Sequence, residues 1–102
     1  MDLAVDVYED TRTFPNEEKF GVTSQLRRAA SSVAANVAEG QARRTKGEFL
    51  QFLGVSRGSL AEVETFLLLS VRLRYLTAAR CEALMNQCAD VNKMLHGLMR
   101  TL

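Results

Sequence analysis

The stretch Thr45–Arg74 reads TKGEFLQFLGVSRGSLAEVETFLLLSVRLR, and it decides the fold. Thr45-Lys46-Gly47-Glu48 is a capping box, in which a hydroxyl and a carboxylate three residues on satisfy the first free backbone donors of a helix. From there Phe49, Phe52/Leu53, Ser56, Leu60, Val63, Leu67, Ser70 and Leu73 recur at three- and four-residue steps, one face of a helix running to about Arg74. Gly54 and Gly58 stand four apart on that helix, and Ala61 continues their face. A glycine inside a helix costs about 1 kcal/mol relative to alanine, and the usual return is close approach by another backbone. Leu68, Leu69 and Val71 spread apolar surface beyond the one stripe. A helix of this kind has more than one neighbour to pack against.

Downstream, Leu76-Thr77 reads as a tight corner with Thr77 capping a further helix to about Arg100. Its stripe is Cys81, Leu84/Met85, Cys88, Val91, Leu95, Leu98 and Leu102. Upstream, Val22, Leu26, Ala29, Val33 and Val37 define a helix from Val22 or Thr23 to Ala42. Small residues, Ala29-Ala30-Ser31-Ser32 and Ala34-Ala35, cover most of its circumference. The lone proline, in Thr13-Phe14-Pro15-Asn16, marks a turn. Asn16 is expected to cap a brief turn through Glu17–Phe20 that Gly21 ends. Before it, Asp2–Thr11 places Leu3, Ala4, Val7 and Tyr8 on one face of a short first helix. Four amphipathic segments with short connections imply an all-α chain, an up-down four-helix bundle in one domain spanning residues 1–102.

Composition agrees. The chain has 102 residues, 47% hydrophobic and 25% charged, with no tryptophan and a single proline. Isoleucine is absent and alanine and leucine abound, which disfavours a sheet. Two cysteines are too few for a disulfide scaffold, and no leader-like apolar segment precedes them, so a reducing cytoplasmic setting is expected. The longest apolar run, Phe66–Leu69, is far short of the roughly 20 residues a membrane span needs. The net charge of +1 conceals an asymmetry: residues 1–20 carry a net −4 and residues 21–46 a net +4. Either the acidic segment packs beside the basic one and cancels it, or the split creates a field that steers a partner.

Catalytic constellations are missing from the pattern. A di-metal carboxylate bundle needs Glu-x-x-His pairs, whereas the only histidine, His96, follows Lys93 at that spacing. Cys81 and Cys88 lie seven apart on an apolar face, which suits core residues and not a zinc pair. Gly54-Val55-Ser56-Arg57-Gly58 lacks the lysine and spacing of a phosphate loop. Glu62 and Glu64 point to different helix faces and form no acid/base dyad, though Glu62 is placed to neutralise a basic side chain of the preceding helix. No enzyme activity, metal or cofactor is expected.

Several motifs together are distinctive: Phe14-Pro15, Gln25-Leu26-Arg27-Arg28-Ala29-Ala30, Asn36-Val37-Ala38-Glu39-Gly40 with Arg43, Gly58-Ser59-x-x-Glu62, and Leu95-His96-Gly97-Leu98-Met99-Arg100-x-Leu102. They resemble the four-helix-bundle proteins found in bacterial 23S rRNA intervening sequences, and the resemblance covers nearly the whole chain. It implies a bundle assembling into a ring-like homopentamer. A related branch, the accessory variability determinants of diversity-generating retroelements, is a basic pentamer that binds nucleic acid and a reverse transcriptase. The chain departs from that pattern in a shorter first helix, which is either truncated or covers less of the core.

Two readings of function follow. In the first, the oligomer binds RNA or DNA, or serves as an adaptor for a protein partner, through Arg43, Arg44 and Lys46, with Arg27, Arg28 and Arg57 secondary. Ala30, Ala34, Gly54 and Gly58 would line the contact between copies. In the second, the chain is a purely structural or protein-interaction module and its charges confer solubility. Asn36 and Glu39 fit a satisfied interior amide and a partner for Arg43, or alternatively an inter-subunit pocket. Few aromatics are expected at the surface, so nucleic-acid contact would be led by phosphate and shape, not by stacking.

Overall fold

The computed structural model describes residues 1–102. Its helices are α1 (Asp2–Asp10), α2 (Val22–Gln41), α3 (Lys46–Arg72) and α4 (Ala78–Arg100), with a short 3-10 turn at Asn16–Glu18 between α1 and α2. Neighbours in sequence pack side by side, and α1 also lies against α4, so the four helices close an up-down square. The principal extents are 43 × 24 × 18 Å, the long one set by α3 and α4.

Local chemistry sets the helix starts. Thr45 Oγ1 accepts the Glu48 N–H at 3.1 Å, and Thr77 Oγ1 accepts that of Arg80 at 3.2 Å. The capping box at Thr45 closes differently from expectation, because the Thr45 hydroxyl itself donates to Glu48 Oε1 at 3.1 Å. Asn16 is not a cap. Pro15 holds the N-cap position of the 3-10 turn with no side-chain bond, since its fixed φ and missing N–H suit a helical entry. Glu18 then reaches forward, accepting the Val22 N–H at 3.3 Å at the start of α2.

α3 ends two residues earlier than its apolar pattern suggests. The Tyr75 N–H donates to Ser70 O and the Arg74 N–H to Val71 O, both at 2.9 Å. Arg74 adopts φ 65, the chain's one left-handed non-glycine residue. Together these make a Schellman closure with arginine where glycine is usual. The turn carries Leu73 out of the core stripe, leaving it 42% exposed.

The core follows the stripes elsewhere. Leu53, Leu60 and Leu67 of α3 are fully buried with Leu26 of α2 and Leu84 and Leu95 of α4. Each such leucine contributes about 1.5–3 kcal/mol from burial. α2 and α3 are the most intimate pair. Their seam is built from small side chains: Ser56 Oγ donates to Val33 O at 2.8 Å, and Ser59 Oγ to Ser32 Oγ at 3.0 Å. At the corner they share, a Cβ on Gly40 would sit 2.8 Å from Phe49 Cδ1 and 2.9 Å from Phe52 Cβ. Only glycine lets the two backbones close there.

Candidate interaction surfaces

α3 presents two faces of unlike purpose. Opposite its core stripe lie Leu50, Gly54, Gly58, Ala61, Thr65 and Leu68, all exposed. At 100° per residue they span an arc of about 80° on the far side of the helix. A Cβ on Gly54 or Gly58 would meet nothing within 4 Å, so no contact inside the chain accounts for either glycine. Val55 and Leu69 extend the apolar surface at its margin.

The other two interface candidates lie elsewhere. Ala30 is 2% exposed and belongs to the core. Ala34 is half-buried and lines an apolar cleft of about 270 Å³ between α1, α2 and α4 with Leu3, Val33, Val37 and Met94. The small residues here admit α1 against α2, because α1 needs a shallow surface to approach. Periodicity alone does not distinguish an intrachain helix from a second copy.

The six basic candidates fall at three levels of the α2–α3 pair. Arg43, Arg44 and Lys46 share the corner, Arg57 sits partway along α3, and Arg27 and Arg28 lie near the other end of α2. Arg43 is tied down: its guanidinium reaches Glu39 Oε2 at 3.0 Å and lies 4.7 Å from the centroid of the Phe52 ring. Arg28 pairs with Glu62 at 2.8 Å across the seam. The Arg43 pair matches the four-residue spacing in the sequence, and the Arg28 pair matches the expectation that Glu62 neutralises a basic side chain of the preceding helix. Arg44, Lys46 and Arg57 are exposed and engage no carboxylate. Arg27 is held by neutral oxygens, with Nε donating to Thr11 Oγ1 at 2.8 Å and Nη2 to Tyr8 O at 3.3 Å.

The acidic first segment does not neutralise the arginines of α2 through ion pairs. Asp10 instead accepts from Arg80 of α4 at 2.8 Å, and Asp6 from Gln87 at 2.6 Å. The Asp10 bond holds the Arg80 guanidinium above its usual range. The long separation in sequence hid these partners.

The remaining polar groups are structural in placement. Asn36 Nδ2 donates to Ser32 O and Oγ at 2.8 and 2.9 Å. Cys81 and Cys88 are buried thiols, and burial pushes Cys88 up to about 12. His96 is exposed on α4. No three His, Cys, Asp or Glu side chains are grouped to hold a metal ion, and no helix is long and apolar enough to cross a membrane.

Two aromatic rings stand at the surface against expectation. Phe20 is 87% exposed and Tyr8 is exposed beside Arg27, whose Cζ lies 4.7 Å from the Tyr8 ring centroid. The available signal was the position of Phe20, next to Lys19 and outside every apolar stripe.

Four helices in an up-down square, with a closely packed α2–α3 pair and an apolar outer face on α3, define an all-α helical bundle. The family model for 23S rRNA-intervening sequence proteins matches residues 1–97, and the chain belongs to that family. No curated protein matches it. Among solved structures it is similar to a protein of unknown function from the S23 ribosomal protein family of Bacteroides thetaiotaomicron VPI-5482. The two are 26% identical over 97% of this chain and 89% of that chain, with a TM-score of 0.89.

Proposed function

We propose that the protein is a non-catalytic, self-assembling bundle that presents basic corners to the phosphates of RNA or DNA. The observation that carries it is the outward face of α3, where Leu50, Gly54, Gly58, Ala61 and Leu68 form a smooth apolar strip with no partner inside the chain. Two glycines retained in an exposed helix interior cost about 1 kcal/mol each, and a second copy seated on them supplies the offset. Family resemblance supplies the number five and the ring. Assembly repeats Arg44 and Lys46 once per subunit, which turns weak single phosphate contacts into a multivalent one. In this reading the six acidic residues of the first segment leave the basic corner unopposed, because those bonded to other side chains engage Arg12, Tyr75 or α4.

Light scattering at micromolar concentration tests assembly: several subunits are expected, and a mass near 11.4 kDa overturns it. Titration of an RNA duplex at rising salt tests the corner, with affinity expected to fall steeply. A second reading, a protein-interaction module without nucleic-acid binding, is favoured by one observation. Arg28 and Arg43 are already neutralised within the chain. Assembly without any RNA or DNA binding at low salt would select it.

A further inference from the structure

We propose that Phe20 of one copy of this chain seats in the apolar cleft between α1, α2 and α4 of a second copy, with Lys19 beside an acidic rim formed by Asp2 and Asp90. The contact rests on the self-assembly proposed above and lies apart from the outer face of α3, so the two can fail separately.

The cleft follows from helix lengths. α1 has 9 residues and α2 has 20, about 14 Å against about 30 Å at the rise of an α-helix. The two run antiparallel, since Arg27 in the second turn of α2 bonds to Tyr8 O and Thr11 Oγ1 at the far end of α1. The last turns of α2 therefore run past the start of α1 with no helix over them. Leu3, Val33, Ala34, Val37, Val91 and Met94 line the opening, about 270 Å³, and Gln41 is its one polar residue. An apolar cavity of about 150 Å³ already admits benzene, so a phenyl ring fits.

Charge marks the rim. An adjoining cleft shares Met1, Leu3, Val91 and Met94 with the first and adds Asp2 and Asp90. Both carboxylates are exposed, and no cation of the chain pairs with either.

The knob stands at the other end of α2. Phe20 is 87% exposed, more than any other large apolar side chain of the protein. Lys19 Nζ lies 5.7 Å from its ring centroid, and Lys19 pairs with no carboxylate. Ala34–Ala38 lie about 20 Å further along the helix, so Phe20 cannot fill the cleft of its own chain. A ring that carries a cation beside it calls for an apolar pocket with an acidic edge. The second apolar cleft, between α3 and α4, has Arg72 as well as Glu82 at its edge and does not select a cation. Knob and cleft are different surfaces, so a copy that lends its ring still offers its cleft to the next, the head-to-tail arrangement from which rings are built.

The absence of tryptophan from the chain gives a clean test. In Phe20→Trp the emission is expected to move to shorter wavelength as concentration rises, in step with the mass from light scattering. Ala38→Phe, at an exposed residue of the cleft edge, should abolish that shift when added. Phe20→Ser should weaken association by about tenfold or more while leaving the melt of the dilute chain unchanged. Lys19→Glu should weaken it by about tenfold, and adding Asp2→Lys and Asp90→Lys to the same chain should restore it. Assembly with no change in emission overturns the contact and leaves self-assembly through α3 standing. A shift that survives Ala38→Phe, or a charge swap that restores nothing, also overturns it. One apolar molecule per chain in native mass spectra does the same, because it occupies the cleft instead. A monomer at every concentration overturns both proposals. A blue shift and assembly undiminished by Gly54→Ala with Gly58→Ala support this contact and remove α3 from the interface.

Discussion

Gly40 and the pair Gly54 and Gly58 are the same residue type in two regions built on opposite terms. At Gly40 a Cβ would press into Phe49 and Phe52, so the glycine is explained by what the chain itself packs against it. At Gly54 and Gly58 a Cβ would project into open space, so nothing in the chain explains them. Closing the α2–α3 corner is a folding requirement; the outer face of α3 answers no folding requirement, and the proposed assembly is what would cover it. Residue type alone is silent on which is which, and the neighbouring atoms decide.

The largest expected effect breaks the first half of that comparison. Gly40→Val forces two methyl groups and a Cβ against Phe52 Cβ, an atom next to the backbone that cannot swing aside. The loss is expected at about 3 kcal/mol, the upper end of overpacking costs, measured by urea denaturation. A loss under about 1 kcal/mol would mean that the corner yields and the close approach is incidental.

The second effect has the opposite sign. Changing Gly54 and Gly58 to alanine together should stabilise the isolated chain by about 2 kcal/mol, from helix propensity alone. The same double variant should weaken association, because two methyl groups hold the neighbouring surface away. Melting at dilutions where the chain is monomeric reads the first quantity and sedimentation the second. Stabilisation with undiminished association would remove α3 from the interface.

Much of this architecture was legible in the residues. The stripe from Phe49 to Ser70 and the caps at Thr45 and Thr77 placed α3 and α4, because helix periodicity and capping are local signals. Arg28–Glu62 and Arg43–Glu39 were also visible, one from neutralising an adjacent helix and one from four-residue spacing. What was not legible depends on distance in sequence or on geometry that no residue type announces. Asp10 finds Arg80 seventy residues away. Ala30 lies in the core and Ala34 lines a cleft beside α1, placements that periodicity alone does not give. Phe20 faces water although aromatics ordinarily seek cover, and Thr23 lacks a partner although hydroxyls ordinarily find one.

A smaller effect sharpens the contrast at the basic corner. Arg43 is bound to Glu39 and stacked on Phe52, whereas Arg44 and Lys46 are free. Changing Arg44 and Lys46 to glutamine should leave the melt unchanged. On duplex DNA the slope of log affinity against log salt should flatten by about 0.9 for each phosphate that is no longer neutralised. Changing Arg43 to glutamine should flatten it less and cost some stability, since the exposed ion pair is worth at most about 1 kcal/mol. Equal slopes for all variants would make the corner a solvated one and favour the protein-interaction reading.

The smallest effect concerns a place where glycine belongs and is absent. Arg74 sits at φ 65 in the Schellman closure of α3, a conformation that crowds the Cβ of any L-residue against its own carbonyl by about 1 kcal/mol. Its side chain makes no hydrogen bond or ion pair that replacement would remove, and the residue is exposed. Arg74→Gly should therefore stabilise the fold by up to about 1 kcal/mol, less the extra freedom glycine has in the unfolded chain. For a chain of this size that is a rise of about 4–8 °C in melting temperature at most. Arg74→Ala separates backbone from side chain: it keeps the Cβ penalty and should leave the melt where it was. A gain with alanine equal to that with glycine would trace the effect to removing a positive charge beside Arg72, and the left-handed turn would then carry no measurable strain.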